Sequence, residues 1–223
     1  MKSLSIQNAG FLSRLPPSGP TILFQDDYSS SSGWTIHNSG GSFTGGRFRW
    51  GTADNTSDHR SYKSLGVTLS DSVWEANFDF FHDDFASNSN ETVIFGLTAG
   101  TAQPFGGSSQ DAIMAVLHFS AGAAEMYMMW KDGTTITYGG NAIPNLVQGT
   151  QYYVTLKRLS TTSIELKMFT NTERTSQFGS TATETTIPAT ITGLTHLQHG
   201  NANPLRTNAT YFNYVIDNTT IKE

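Results

Sequence analysis

The stretch VWEANFDFF, residues 73–81, decides the fold. Trp74, Ala76, Phe78 and Phe80 fall on one parity, with Glu75, Asn77 and Asp79 on the other. Successive side chains of a β-strand point to opposite faces, so this alternation predicts a strand with one face in a core and one in water. A helix would instead bring apolar residues together three and four positions apart.

Outward from this strand the chain repeats the same grammar. Short apolar runs stand at 21–25 (TILFQ), 34–37 (WTIH), 42–50 (SFTGGRFRW), 91–100 (ETVIFGLTAG), 110–120 (QDAIMAVLHFS) and 124–133 (AEMYMMWKDG). Others follow at 151–159 (QYYVTLKRL), 162–171 (TSIELKMFTN), 195–201 (THLQHGN) and 210–221 (TYFNYVIDNTTI). Gly, Asn, Pro, Ser and Thr clusters separate most of them, which is the punctuation of turns. About twelve strands are expected. Only FSAGAAEM, at 119–126, could pass for a helix, and it is short and uncapped.

Composition agrees. Charged residues make up 14% of the 223 residues and glycine occupies 21 positions, a balance that favours strands and turns over charged helical surfaces. One sandwich of this length is an ordinary single domain. The net charge of −5 comes without basic blocks, which argues against nucleic acid, and no apolar run is long enough to insert a helix in a membrane. The chain has no cysteine, so disulfides, thiolate metal sites and a cysteine nucleophile are excluded. Four N-x-S/T sequons begin at Asn55, Asn90, Asn208 and Asn218, and the opening segment does not read as a secretion signal, so they are taken as chance.

Residues 1–20 read as an extended N-terminal arm, because Pro16, Pro17 and Pro20 disfavour helix and remove donors. Leu4, Ile6, Phe11, Leu12 and Leu15 make the arm too apolar for a solubilising tail, so it is expected to be held by a surface. The domain proper spans 21–223.

The segments LFQDDYSSSSGWTIHNSG (23–40), SLGVTLSDSVWEANFDFF (64–81) and YFNYVIDNTTI (211–221), in that order, resemble the concanavalin A-like lectin and glucanase group of jelly rolls, which includes laminin G-like modules. The resemblance covers about residues 21–223. It implies an all-β, two-sheet antiparallel β-sandwich with adjacent first and last strands. It also implies a role among glycan-binding modules, glycosidases, adhesion domains and structural caps.

The glucanases of that group carry Glu-x-Asp-x-x-Glu on one strand. The nearest stretch here is Asn77-Phe-Asp79-Phe-Phe-His82, and asparagine cannot serve as the carboxylate nucleophile of a retaining glycosidase. There is no G-x-S-x-G elbow, H-E-x-x-H helix, P-loop or dinucleotide fingerprint. His118, His196 and His199 are expected to be hydrogen-bonded sheet residues. No enzyme activity is expected.

Two constellations are candidate sites. Asp26 and Asp27 close the first strand and Asp217 lies in the last, so hard oxygen donors from both ends could hold a structural calcium ion; strand-end hydrogen bonding is the alternative. His82, Asp83 and Asp84 with the following Asn88 gather polar groups at a strand end, as a carbohydrate site would, although a plain surface loop has the same composition. In AEMYMMWKDG, Tyr127 and Met129 share one face while Met126, Met128 and Trp130 share the other, so both faces need cover. That cover could be a loop, the arm, a neighbouring subunit or a sugar stacked on Trp130.

The expected function is a non-enzymatic lectin-like binding or assembly module on the surface of a larger particle. A virion structural, decoration or receptor-binding protein would fit, engaging glycans, copies of itself or other structural proteins as a homo-oligomer or part of an assembly. A stand-alone carbohydrate-binding protein and an atypical glycoside-active enzyme are the alternatives.

Overall fold

The computed structural model describes residues 19–38, 41–53, 59–85, 90–105, 109–120, 123–200 and 210–223. Among them there are fifteen strands and no helix. The first sheet contains β1 (Ile22–Asp26), β3 (Ser42–Phe43), β4 (Phe48–Ala53), β6 (Trp74–Phe85), β11 (Thr150–Ser160), β12 (Ser163–Phe169), β13 (Gln177–Glu184) and β15 (Thr210–Lys222). Its order is β13-β12-β11-β6-β15-β4-β3, with β1 also on β15. The second contains β2 (Trp34–His37), β5 (Arg60–Ser64), β7 (Asn90–Thr98), β8 (Ala112–Ser120), β9 (Ala123–Asp132), β10 (Thr135–Ile143) and β14 (His196–Gly200), in the order β10-β9-β8-β7-β14-β5-β2. Every pairing is antiparallel.

The first and last strands are neighbours, as expected. β15 is long enough to pair β4 along its first half and β1 along its second, with Asp26 opposite Thr219. Thr21 and Glu223 exchange backbone hydrogen bonds just beyond the strands.

The decisive strand behaves as its alternation demands. Trp74, Ala76, Phe78 and Phe80 are buried in the core between the sheets, where the Phe78 ring stacks on Phe95 of the opposite sheet at 4.3 Å between centroids. Leu117, Val154, Leu156, Ile164 and Leu166 join the same core. Val215 is buried on the outer face of the first sheet, opposite Phe81, and Tyr127 belongs to a second apolar cluster.

That second cluster is formed by Val93, Ala112, Met114, Val116, Tyr127 and Met129 on the outer face of the second sheet, under Phe105 from the β7–β8 connection. Phe105 and the neighbouring Ile136 and Ala142 of β10 supply part of the cover that the doubly apolar β9 required. Its other face, Met126, Met128 and Trp130, is in the main core.

Three strands are additional to the sequence expectation: β5, β10 and β13. β10 and β13 are edge strands whose polar, largely exposed residues give no apolar alternation. FSAGAAEM is not helical in its described part: Phe119 and Ser120 end β8, and Ala123 to Met126 begin β9. Of the expected arm, residues 1–18 lie outside the described residues.

Candidate functional site

Registers across three strands line up Glu91 of β7, His118 of β8 and Glu125 of β9 in one row on the outer face of the second sheet. The next row along carries Val93, Val116, Tyr127 and Ala142. Neighbouring strands lie about 4.8 Å apart, so these side chains form a contiguous patch. A depression of about 340 Å3 opens there, lined by Glu91, His118, Glu125, Tyr127, Tyr138, Gly139, Gly140 and Ala142.

The irregular edge strand shapes its rim. Between the pairs Tyr138–Met129 and Ala142–Tyr127, β10 has three residues where β9 has one. Extra residues of this kind bend a strand and re-aim its groups. Here the bulge turns Gly140 N and Asn141 N onto Glu184 Oε1 of β13, at 2.7 and 3.3 Å, and Asn141 Nδ2 donates to Thr183 O at 3.1 Å. The edges of the two sheets are thereby tied together. Glycine is needed at 139, where a Cβ would sit 2.8 Å from Met128 O, whereas at Gly140 a Cβ would meet nothing within 4 Å.

Inside the depression, His118 Nδ1 lies 2.8 Å from Glu125 Oε1, and the buried Nε2 has no hydrogen-bond partner among the described residues. The Tyr127 ring stands edge-on to His118 at 6.0 Å and leans against Tyr138 at 6.1 Å. Tyr127 is 5% exposed and Tyr138 44%, so a buried ring supports one open to solvent. Glu91 is buried behind them. An exposed aromatic face beside the partly exposed Glu125 carboxylate can stack on the apolar face of a polar ring and accept from its hydroxyls.

The residues expected at a carbohydrate site do not converge. His82 is fully buried on the core face of β6, its ring parallel to Phe80, and desolvation holds its pKa down to about 4. Trp130 is a core residue at 5% exposure, so its ring is not offered to a sugar. Asp83, on the opposite parity from His82, pairs with Arg49 at 2.8 Å. Asp84 is placed by its backbone, opposite Asn213 of β15. Asn88 lies outside the described residues.

The terminal acids are brought to adjacent strands, each with its own partners. Asp26 is buried: Oδ1 accepts from Tyr28 N at 2.7 Å, and Oδ2 from Trp34 Nε1 at 3.0 Å and Lys63 Nζ at 2.8 Å. Asp27 is exposed and accepts from Ser29 N, which lowers its pKa. Asp217 is opposite Asp79 and beside Arg47; burial raises its pKa, and the charges of Asp79 and Asp27 add to the rise. Among the described residues no group of three or more His, Asp or Glu is placed to hold a metal ion. A polar cleft of about 440 Å3 lies beside Asp26, Asp27, Ser29, Ser30 and Lys63.

His199 occupies a closed network behind that cleft. Nδ1 must donate to Ile94 O at 2.7 Å, since a carbonyl only accepts, so neutral Nε2 accepts from Tyr28 Oη at 2.8 Å. Tyr28 Oη then accepts from Thr219 Oγ1 at 2.6 Å. Phe48 and Trp34 stack on the imidazole, and burial holds its pKa down to about 4.

No protein-family model matches the chain, and a search among curated proteins finds no match. Solved structures do match in fold. The CBM2 module of the evolved Dit of Lactobacillus casei BL23 phage J-1 superposes with a TM-score of 0.58 at 7% identity, covering 91% of this chain and 95% of that one. A mutant of the GH43 protein BlXynB from Bacillus licheniformis gives 0.59 at 10% identity over 94% of this chain, but this chain spans only 41% of it. The conserved carbohydrate esterase of the Shiga toxin-encoding bacteriophage phi24B gives 0.52 at 14% identity, covering 92% and 99%. At these identities the likeness establishes the β-sandwich fold and no more.

Proposed function

We propose that this chain is a non-enzymatic, lectin-like module that binds glycans through the Tyr138 depression and is displayed on the outside of a larger particle, in the manner of a virion component. The observation that carries the reading is the solvent-open Tyr138 ring, braced by Tyr127, next to the His118–Glu125 pair. An aromatic platform with fixed acceptors on a rigid sheet is what saccharide recognition needs, because little conformational freedom is lost on binding. Fold neighbours described as a CBM2 module of a phage protein and a phage carbohydrate esterase lend support to the glycan and to the particle.

The non-enzymatic part rests on chemistry. Asn77 and Asp79 lie on the outer face of the first sheet and His82 in the core, so the stretch nearest to the glucanase motif does not present an acid and nucleophile together. In the depression Glu125 is committed to His118.

The test is isothermal titration against a panel of oligosaccharides, with Tyr138→Ala as control. At least one saccharide class should bind saturably without being cleaved, and the substitution should weaken it about fivefold, the worth of one stacked ring. Retained affinity in Tyr138→Ala defeats the site, and product release defeats the non-enzymatic reading.

A second reading, assembly with neighbouring copies, is favoured by a separate feature. An apolar-sided groove of about 360 Å3 lies where the chain enters the domain, lined by Pro20, Val73 and Leu159, with Val73 55% and Leu159 46% exposed. Deleting residues 1–18 should leave a folded sandwich that no longer self-associates; unchanged sedimentation of both forms at all concentrations contradicts this.

A further inference from the structure

The charge pattern of the depression points to the class of saccharide it takes, an inference that rests on the glycan-binding reading. We infer that the Tyr127–Tyr138–Glu125 depression selects glycans bearing a free amino group, such as de-N-acetylated hexosamine oligomers, over neutral and anionic ones.

Three observations lead there. Among the described residues the lining offers the partly exposed Glu125 carboxylate, with Glu91 buried beneath, and no lysine or arginine. Across the bulge stands a third carboxylate, Glu184, whose Oε1 is 3.0 Å from the Cβ position of Gly139 and is held by the backbone N–H groups of Gly140 and Asn141. Among the described residues the ionisable partner of Glu125 is His118, so Glu125 and Glu184 together carry net negative charge whether that imidazole is protonated or neutral.

Tyrosine faces add to the field. Tyr127 and Tyr138 meet at an angle of 35°, and an aromatic face attracts a cation through its ring quadrupole. An ammonium substituent on a sugar stacked against Tyr138 would lie between a π face and the carboxylates, with three N–H donors for acceptors that a neutral hydroxyl serves less strongly. A uronate or sialyl carboxylate in the same position meets the like charges of Glu125 and Glu184 with no lysine or arginine among the described lining residues. The open space at Gly140 leaves room for a substituent on the ring beside the bulge.

The experiment compares hexamers of glucosamine, N-acetylglucosamine, glucose and a uronic acid by titration at pH 6 and low salt, on the wild type and on Glu125→Gln. The glucosamine hexamer should bind about tenfold tighter than the glucose hexamer, the worth of one charge-assisted hydrogen bond, with the uronic acid weakest. Raising the salt to 0.5 M should shrink the preference, and Glu125→Gln should reduce it to within about threefold. If glucose or N-acetylglucosamine hexamers bind as tightly as the amino form, or if Glu125→Gln keeps the full preference, the selectivity is refuted while the glycan-binding reading stands. If none of the four binds, and none of the wider panel does, the underlying reading fails instead.

Discussion

Acidification from pH 7 to pH 5 should destabilise the sandwich through His199. Its imidazole is buried, stacked by Phe48 and Trp34 and locked as the Nδ1–H tautomer, with a pKa held down from 6.5 to about 4. For a histidine whose pKa is lowered in the folded state, the full stability is present above the unfolded value of 6.5 and is lost as pH falls towards 4. The whole displacement corresponds to about 3 kcal/mol, of which about 2 kcal/mol is lost by pH 5. His82, lowered to about 4 by the same burial, contributes a similar amount, so the wild type should lose about 4 kcal/mol. Asp79 and Asp217, whose pKa values are raised, oppose this, because protonation relieves their burial in the folded state. The discriminating assay is therefore a double difference: urea unfolding at both pH values for the wild type and for His199→Gln. The variant keeps every other titrating group and should lose about 2 kcal/mol less on acidification. Equal losses in the two proteins, or an NMR titration placing His199 near 6.5, would refute the argument.

Other consequences follow from single contacts. Trp74→Ala should cost about 3–5 kcal/mol in urea unfolding, whereas Trp74→Phe should cost much less, since the buried Trp74 Nε1 has no hydrogen-bond partner among the described residues. Gly200→Ala should lower the midpoint of thermal unfolding by an amount equivalent to about 1–3 kcal/mol, because φ is +81° and the new Cβ would fall 2.5 Å from Trp50 Nε1. Asp26→Ala removes the partner of Lys63 and Trp34 and should cost about 2–3 kcal/mol. If that aspartate serves the ion pair rather than a calcium ion, the loss is the same with calcium and with chelator. Gly140→Leu should weaken saccharide binding while leaving the melting temperature nearly unchanged, since Gly140 lines the depression and a Cβ there meets nothing within 4 Å.

The fold was legible wherever one strand face is core and the other wet, as in residues 73–81. It was illegible at β10 and β13, edge strands whose few apolar residues are interrupted by glycine, asparagine and threonine, and where the bulge and Glu184 add polar ties to the limited apolar packing. The double apolarity of β9 was read correctly as a demand for cover, but the sequence does not say which face meets the opposing sheet, and that choice buries Trp130 and brings Tyr127 to the depression. His82 was assigned to a polar strand end because it precedes two aspartates; its parity with Phe78 and Phe80 was the better guide and points it into the core. Glu91, His118 and Glu125 stand on three successive strands and become neighbours only through the β7–β8–β9 registers, which single-strand periodicity does not encode. Tyr138 sits in TITYGG, a strand-favouring run of only four residues cut off by two glycines, and nothing in so short a run marks its aromatic as exposed beside a site.

The most direct test of the glycan-binding site is an amide chemical-shift titration of the full chain with a saccharide that binds. Shifts should concentrate at Glu125, Tyr127, Tyr138, Gly139 and Gly140, with the Tyr138 ring protons showing the largest change. Shifts centred instead on Asp26, Asp27 and Ser29 to Ser32, with Tyr138 unmoved, would contradict it.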